Sequence, residues 1–123
     1  MLKLVFCLRR LPNLSLAEFQ RYWREQHAPL VASHADALRI RRYVQLHTLE
    51  SPMNDALRAS RGGPEAYDGV AEIWWSSAED LAAATASEAG RTASAELLAD
   101  ERRFIDLARS PLWVAREEPI VGG

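Results

Sequence analysis

Bulky apolar residues recur every fourth position in one segment of this chain, and this period predicts a helix. Phe19, Trp23 and His27 follow one another at that spacing. Residues four apart lie on the same side of a helix, and a stripe of bulky residues is typical of the buried side of a surface helix. The pattern therefore predicts that His27 is directed at the interior of the protein, or at a cavity in it.

The sequence also predicts where this helix begins and ends. Ser15 stands three residues before Glu18, which is the spacing of a capping box, so the helix is expected to begin near Leu16. Pro29 predicts a break or kink just before it. A second helical piece is expected over residues 30–38.

Apolar stretches that suit extended backbone predict four strands, at residues 2–8, 40–49, 67–75 and 112–118. Two further helices are predicted, one capped by Ser76 or Ser77 and ending near Ser87, the other running from about Ser94 to Ala108. Residues 50–66 contain two prolines and two glycines, and we interpret them as an excursion loop with one helical turn.

The resulting order of elements is β-α-β-β-α-β. With right-handed crossovers this order predicts an α+β fold, the ferredoxin-like βαββαβ plait, in which helices cover one face of a four-stranded antiparallel sheet. A length of 123 residues predicts a single domain over residues 1–123, with the excursion at 50–66.

The sheet face that the helices leave open is predicted to be too apolar to remain in water. We expect Val5, Tyr43, Val70 and Trp74 on this face. A second copy of the sheet is the simplest cover, and self-complementary pairing is the commonest mode of assembly. The pattern therefore predicts a homodimeric α+β barrel with a cavity between the two sheets.

Composition limits the partners and the compartment that we expect. The formal net charge is −2 and the basic residues are dispersed, so neither nucleic acid nor a membrane is expected as a partner. Cys7 is the only cysteine, which excludes an intramolecular disulfide and fits a reducing compartment. No signal-peptide layout and no long apolar run are present. We expect a cytoplasmic protein.

Three segments resemble the EthD-like branch of the dimeric α+β barrel superfamily. They are residues 19–30 with a Tyr-Trp pair and His-Ala-Pro-Leu, residues 67–74, and residues 100–106 followed by a final strand. The resemblance spans nearly the whole chain and implies the ferredoxin-like fold, a homodimer and a small hydrophobic, often aromatic, ligand. The family is named for a component of ether-degradation clusters found beside a haem monooxygenase system, and its superfamily includes polyketide cyclases, anthrone-type dehydratases or decarboxylases, muconolactone isomerase-like proteins and cofactor-free monooxygenases.

His27 is the leading candidate for a catalytic residue. A histidine titrates near neutral pH and can act as a general acid or base at a cavity wall. The alternative is a helix-terminal histidine that bonds to the last carbonyls. Tyr22 and Tyr43 are candidate hydrogen-bond donors that polarise a carbonyl group, with interface phenols as the alternative.

Five further residues are predicted to contact a ligand. His47 and Glu72 are expected side by side on adjacent strands of the cavity face, where a carboxylate can orient an imidazole. The alternative is a partly solvated polar pair at the edge of the sheet. Trp74 and Val70 are expected in the cavity wall, and Trp23 either stacks on a planar ligand or fills the core.

The motifs that are absent also guide the functional prediction. The three histidines lack a metal-binding spacing, and the sequence has neither a phosphate-binding glycine loop nor a Gly-x-Ser-x-Gly motif. We expect no metal and no cofactor, unless a cofactor is one that the sequence does not reveal. Asp100 and Glu101 are interpreted as residues that cap or pair at a helix surface.

Three functions stay open at this stage. The first is an enzyme that performs acid–base cyclisation, dehydration or isomerisation on an aromatic or carbonyl-bearing metabolite. The second is a non-catalytic accessory protein of an oxidoreductase system, and the third is a cofactor-free monooxygenase.

Overall fold

A computed structural model describes residues 1–123 and contains four strands in one sheet. The strands are β1 (Leu2–Leu8), β2 (Arg42–His47), β3 (Gly69–Trp75) and β4 (Leu112–Arg116). Their order is β2-β3-β1-β4, and every neighbouring pair is antiparallel. The predicted four-stranded antiparallel sheet is confirmed.

Five α-helices connect the strands: α1 (Leu16–Tyr22), α2 (Ala28–Ser33), α3 (Pro52–Arg61), α4 (Ala78–Ala86) and α5 (Glu88–Glu101). The order of elements confirms the ferredoxin-like α+β fold, with α3 as an addition inside the 50–66 excursion. None of these helices combines the length and the apolar character that crossing a bilayer requires.

Of the break or kink predicted before Pro29, the break does not occur. A π-helical turn, Trp23–His27, joins α1 to α2, and the backbone N–H of Ala28 bonds to the carbonyl of Trp23 across this wide turn. Pro29 lies in the first turn of α2, where a missing N–H is tolerated. The helical path therefore continues through the proline. The π-helical turn has one more residue than an α-helical turn, and it ends at His27, the predicted functional histidine.

The predicted apolar stripe is buried, and the capping box of Ser15 and Glu18 is present. Phe19, Trp23 and His27 are at most 5% exposed. The Trp23 ring packs directly on the backbone of β3, where a Cβ at Gly69 would lie 2.4 Å from it. Gly69 thus allows the first helix to approach the sheet closely.

Two other glycines lie within or at the end of helices whose bounds differ from the predicted ones. The helix expected from Ser94 begins earlier, at Glu88, and includes Gly90, where a Cβ would lie 1.7 Å from the Ala84 carbonyl oxygen. The excursion forms the ten-residue helix α3 rather than one turn, and Gly62 ends it in the left-handed conformation with φ of 59°. None of the α3 residues is buried.

The strand register corrects the predicted distribution of side chains between the two faces of the sheet. Tyr43 pairs with Ile73 and His47 pairs with Gly69, and residues paired in this way share a face. Tyr43 and His47 therefore lie on the face that the helices cover, and the prediction that they lie on the open face is wrong. A shift of one residue in strand pairing exchanges the faces, and the alternation within one strand does not fix that pairing.

The open face carries Val70, Glu72 and Trp74, as predicted, but the expected pair of His47 and Glu72 does not form. Glu72 instead forms a salt bridge with Lys3 at 3.1 Å. The Trp74 ring lies 4.8 Å from the Lys3 ammonium, and the Trp74 indole N–H donates to Glu117. Charged side chains thus cover Trp74, which is 7% exposed.

Candidate functional site

A cavity of about 290 Å³ lies between the helix-covered face of the sheet and the helices. Of the 20 residues that line it, 16 are hydrophobic, and the other four are His27, Thr85, Ser94 and Glu101. This cavity lies within one chain, whereas the sequence predicted a cavity between two sheets of a dimer. Apolar walls with a few polar groups are the usual form of a small-molecule site.

His27 reaches this cavity from the end of the π-helical turn. Its Nδ1 lies 2.7 Å from Oδ2 of Asp100, and the Tyr22 hydroxyl donates to the other oxygen of that carboxylate at 2.6 Å. A carboxylate can only accept, so Nδ1 carries the proton in the neutral ring. The second ring nitrogen, Nε2, makes no hydrogen bond within the protein and keeps its lone pair.

Two effects act on the titration of this histidine. Burial lowers the pKa of His27 below its ordinary value, and the Asp100 carboxylate opposes that change. Burial thus favours the neutral imidazole, and Asp100 is placed to stabilise the imidazolium formed when Nε2 takes a proton. An imidazole that is oriented by a carboxylate and keeps one free nitrogen is the arrangement of a general base.

Tyr22 contacts this site through Asp100. It lies outside the cavity lining, and its hydroxyl proton is already donated to the carboxylate. Burial raises the pKa of Tyr22, and the hydrogen bond to Asp100 raises it further. In this arrangement Tyr22 orients Asp100, which differs from its predicted role as a donor to a ligand carbonyl.

Glu101 is a cavity residue that the sequence interpretation assigned to the helix surface. Burial raises its pKa to about 7, and the neighbouring Asp100 carboxylate adds to the shift. A carboxyl group with this pKa is present in both protonation states near neutral pH. A signal for it was available, because Glu101 falls in the register of the apolar residues Leu97, Leu98 and Phe104.

The other predicted site residues divide between the two sides of the sheet. Tyr43 and Trp23 line the cavity, and burial raises the pKa of the Tyr43 phenol. His47 lies behind Trp23, with 4.5 Å between the ring centroids, and does not line the cavity. Val70, Glu72 and Trp74 lie on the open face, outside this cavity.

No three His, Cys, Asp or Glu side chains lie close enough together to hold a metal ion.

Comparison with known proteins shows the family and the fold. A sequence model of the EthD domain matches residues 11–108. No curated protein sequence matches the chain. A solved EthD family protein from Bacillus halodurans has a TM-score of 0.61 at 19% identity, covering 96% of this chain and 100% of that one.

Two further solved structures are similar. An Arabidopsis thaliana protein has a TM-score of 0.62 at 11% identity, covering 98% of this chain and 99% of that one. A variant of SnoaB, a cofactor-independent oxygenase from Streptomyces nogalater, has a TM-score of 0.58 at 14% identity, covering 99% and 97%. At these identities the likeness shows the fold alone. Because the sequence model of the EthD domain matches most of this chain, the chain belongs to the EthD domain family.

Proposed function

We propose that this protein binds a small, largely apolar metabolite bearing a carbonyl or phenolic oxygen, and that it catalyses a cofactor-free acid–base reaction on it. The reaction class is cyclisation, dehydration or isomerisation. The observation that carries the proposal is the His27–Asp100 pair, in which a carboxylate orients an imidazole that lines an apolar cavity.

The cavity groups divide the work of such a reaction between them. Nε2 of His27 removes a proton from a carbon next to the carbonyl, and Asp100 stabilises the imidazolium that forms. Tyr43 and Glu101 line the same cavity and are the groups that can donate to the oxygen on which negative charge develops. The apolar walls exclude water, which strengthens these electrostatic interactions.

A cofactor-free oxygenase is the second candidate, and the fold likeness to SnoaB favours it. The same base would take a proton from a phenol, and the resulting anion would react with dioxygen. The accessory role in an oxidoreductase system is the non-catalytic alternative.

We propose in addition that the protein is a homodimer joined through the open face of the sheet. Two large apolar side chains of that face, Leu46 and Trp113, are 47% and 49% exposed in the single chain. The register places them on the face of Val5, Val44 and Val70. An exposed apolar face of this kind marks an interaction surface.

The experiment that tests the proposed chemistry begins with native mass spectrometry of the protein against phenolic, quinone and lactone compounds, followed by turnover assays of the compounds retained. His27→Ala is expected to lower turnover by about two to four orders of magnitude while binding persists. His34→Ala is the matched control, because His34 also pairs with a carboxylate, that of Glu96 at 2.6 Å, but does not line the cavity.

Three results separate the candidates. Turnover that depends on His27 and proceeds without dioxygen supports the acid–base enzyme, and turnover that requires dioxygen supports the oxygenase. Retained compounds with no turnover in the wild type contradict both enzyme proposals and favour the accessory role.

A further inference from the structure

We propose that Tyr43, Gln45 and His47 form a hydrogen-bonded relay of fixed polarity that presents the Tyr43 hydroxyl as a donor to a ligand acceptor oxygen in the cavity. The three residues alternate along β2 and therefore project from one face of the strand. The inference rests on the proposed function in one respect, that the cavity takes a ligand. It adds a positioning residue, Gln45, and it restricts the ligand to molecules with an accepting oxygen.

The Trp23 backbone carbonyl fixes the orientation of the Gln45 amide. Nε2 of Gln45 lies 3.0 Å from that carbonyl oxygen, and a carbonyl can only accept, so this end of the amide is the nitrogen. The opposite end, Oε1, then lies 2.7 Å from Nε2 of His47. Because Oε1 accepts, Nε2 of His47 must carry a hydrogen.

The buried end of the relay agrees with this tautomer. Nδ1 of His47 is buried without a hydrogen-bond partner. With the proton on Nε2, Nδ1 is an unpaired lone pair. With the proton on Nδ1, a buried N–H would lack an acceptor, and two acceptors would face each other between His47 and Gln45. The Trp23 ring, 4.5 Å from the His47 ring between centroids, holds the imidazole in place.

The opposite end of the relay opens to the cavity at Tyr43. The second N–H of Gln45 donates to the Tyr43 hydroxyl oxygen at 2.9 Å. The hydroxyl hydrogen itself has no acceptor within the protein, and Tyr43 lines the cavity. A ligand group that accepts, such as a carbonyl or a phenolate oxygen, completes the relay, whereas a methylene group in the same position leaves the hydroxyl unpaired.

A first test needs no ligand. Nitrogen NMR of histidine-labelled wild-type protein near neutral pH is expected to show His47 with its proton on Nε2 and Nδ1 unprotonated. The opposite tautomer would overturn the relay, whatever the cavity binds.

A second test uses two probes of nearly the same shape, acetophenone and α-methylstyrene, which differ by an oxygen in place of a methylene. The wild type is expected to bind acetophenone about tenfold more tightly, the ratio of one net hydrogen bond. The infrared carbonyl stretch of bound acetophenone should shift to lower frequency. Tyr43→Phe removes the donor directly, so it should abolish both the preference and the shift.

Two variants of Gln45 then test the relay itself. Gln45→Glu and Gln45→Leu remove the N–H that occupies the Tyr43 oxygen, so the phenol turns its hydrogen to the new carboxylate in Gln45→Glu and loses the neighbour that orients it in Gln45→Leu. Gln45→Glu is expected to lose the preference for acetophenone and Gln45→Leu to weaken it, and both should bind α-methylstyrene as the wild type does. Gln26→Glu makes the same change of charge at an exposed residue and should retain the preference.

The outcomes separate the relay from the function on which it rests. Loss of the preference in Tyr43→Phe but not in either Gln45 variant would overturn the role of Gln45. Equal binding of the two probes by the wild type would overturn the donor role of Tyr43. A wild type that binds neither probe contradicts ligand binding by the cavity. The His47 tautomer measured by NMR is then the result that supports or overturns the hydrogen-bonded relay.

Discussion

Two opposing effects act on the pKa of His27, and their balance sets the charge of its ring. Burial in an apolar region favours the neutral ring, whereas the Asp100 carboxylate at 2.7 Å favours the charged one. The neighbouring Glu101 shows what burial does to a carboxyl group with no such partner, because its pKa rises to about 7. Adjacent positions on α5 thus supply an orienting carboxylate and a titrating one.

Removal of the charge of Asp100 is predicted to lower the pKa of His27 further. In Asp100→Asn the negative charge that stabilises the imidazolium is lost, while the burial that opposes it remains. Proton NMR titration of the histidine ring signals measures the change. Glu96→Gln, which removes the carboxylate beside the surface residue His34, serves as the control and should leave His27 unaffected. A rise in the pKa of His27 in Asp100→Asn would contradict this account.

Glu101 is predicted to make the folded state less stable as pH rises. The folded pKa, about 7, lies above the ordinary value of 4.5, so the folded protein retains this proton over a range where the unfolded chain loses it. The stabilisation by that proton is complete below pH 4.5 and disappears as pH rises through 7. Glu101→Gln should therefore gain stability relative to the wild type between pH 5 and pH 8, by roughly 1–3 kcal/mol.

Urea unfolding at several pH values measures this difference between variant and wild type. The comparison isolates Glu101, because the lowered pKa values of the histidines affect both proteins equally. Glu50→Gln, at an exposed carboxylate, is the control and should follow the wild type at every pH. A difference between Glu101→Gln and the wild type that does not change with pH would contradict the raised pKa.

The π-helical turn and β3 are in close contact at one position. The π-helical turn places Trp23 over Gly69, and the absence of a side chain there lets the indole lie on the strand backbone. The same ring then contacts His47 and lines the cavity. One close contact between two elements therefore supports both the helical segment that carries His27 and the relay proposed on β2.

Gly69→Ala is predicted to destabilise the protein by about 1–3 kcal/mol, because its Cβ would lie 2.4 Å from the Trp23 ring and the helix would have to move. Denaturant unfolding provides the measurement. Gly63→Ala is the matched control, since nothing lies within 4 Å of a Cβ there. Equal effects of the two substitutions would show that the close contact is not the cause.

The whole molecule has two apolar regions with different expected partners. The cavity beneath the helices is the site proposed for a ligand, and the open face of the sheet is the surface proposed for a second copy of the chain. Only part of the open face is apolar, because Lys3, Arg42 and Glu117 surround Trp74. We therefore assign the dimer contact to the part of the face near Leu46, Val70 and Trp113.

The proposed dimer predicts that a charge in this apolar part dissociates it. Leu46→Glu, whose strand partner is Val70, should convert a wild-type dimer to a monomer without unfolding it. Light scattering coupled to size exclusion measures the mass, and circular dichroism checks the fold. Leu57→Glu places the same charge on α3, away from the sheet, and should leave the dimer intact. A monomeric wild type would contradict the open-face interface.

The sequence alone determined the features that depend on neighbouring residues along the chain. The capping box at Ser15, the buried stripe that ends at His27 and the order of helices and strands are all local or periodic, so one chain read in order contains them. The excursion was also located, but its ten-residue helix was underestimated, because its only large apolar residues, Met53 and Leu57, are exposed and span a single helical turn.

The tertiary structure decided everything that depends on how distant segments meet. The pairing of β2 with β3 moved Tyr43 and His47 to the helix-covered face, because register is a property of two strands and not of one. Asp100 stands 73 positions from His27 in sequence, and only the packing of α5 against the π-helical turn makes it the partner of the imidazole. The titration of Glu101 likewise follows from burial, which exists only once the helices close over the sheet.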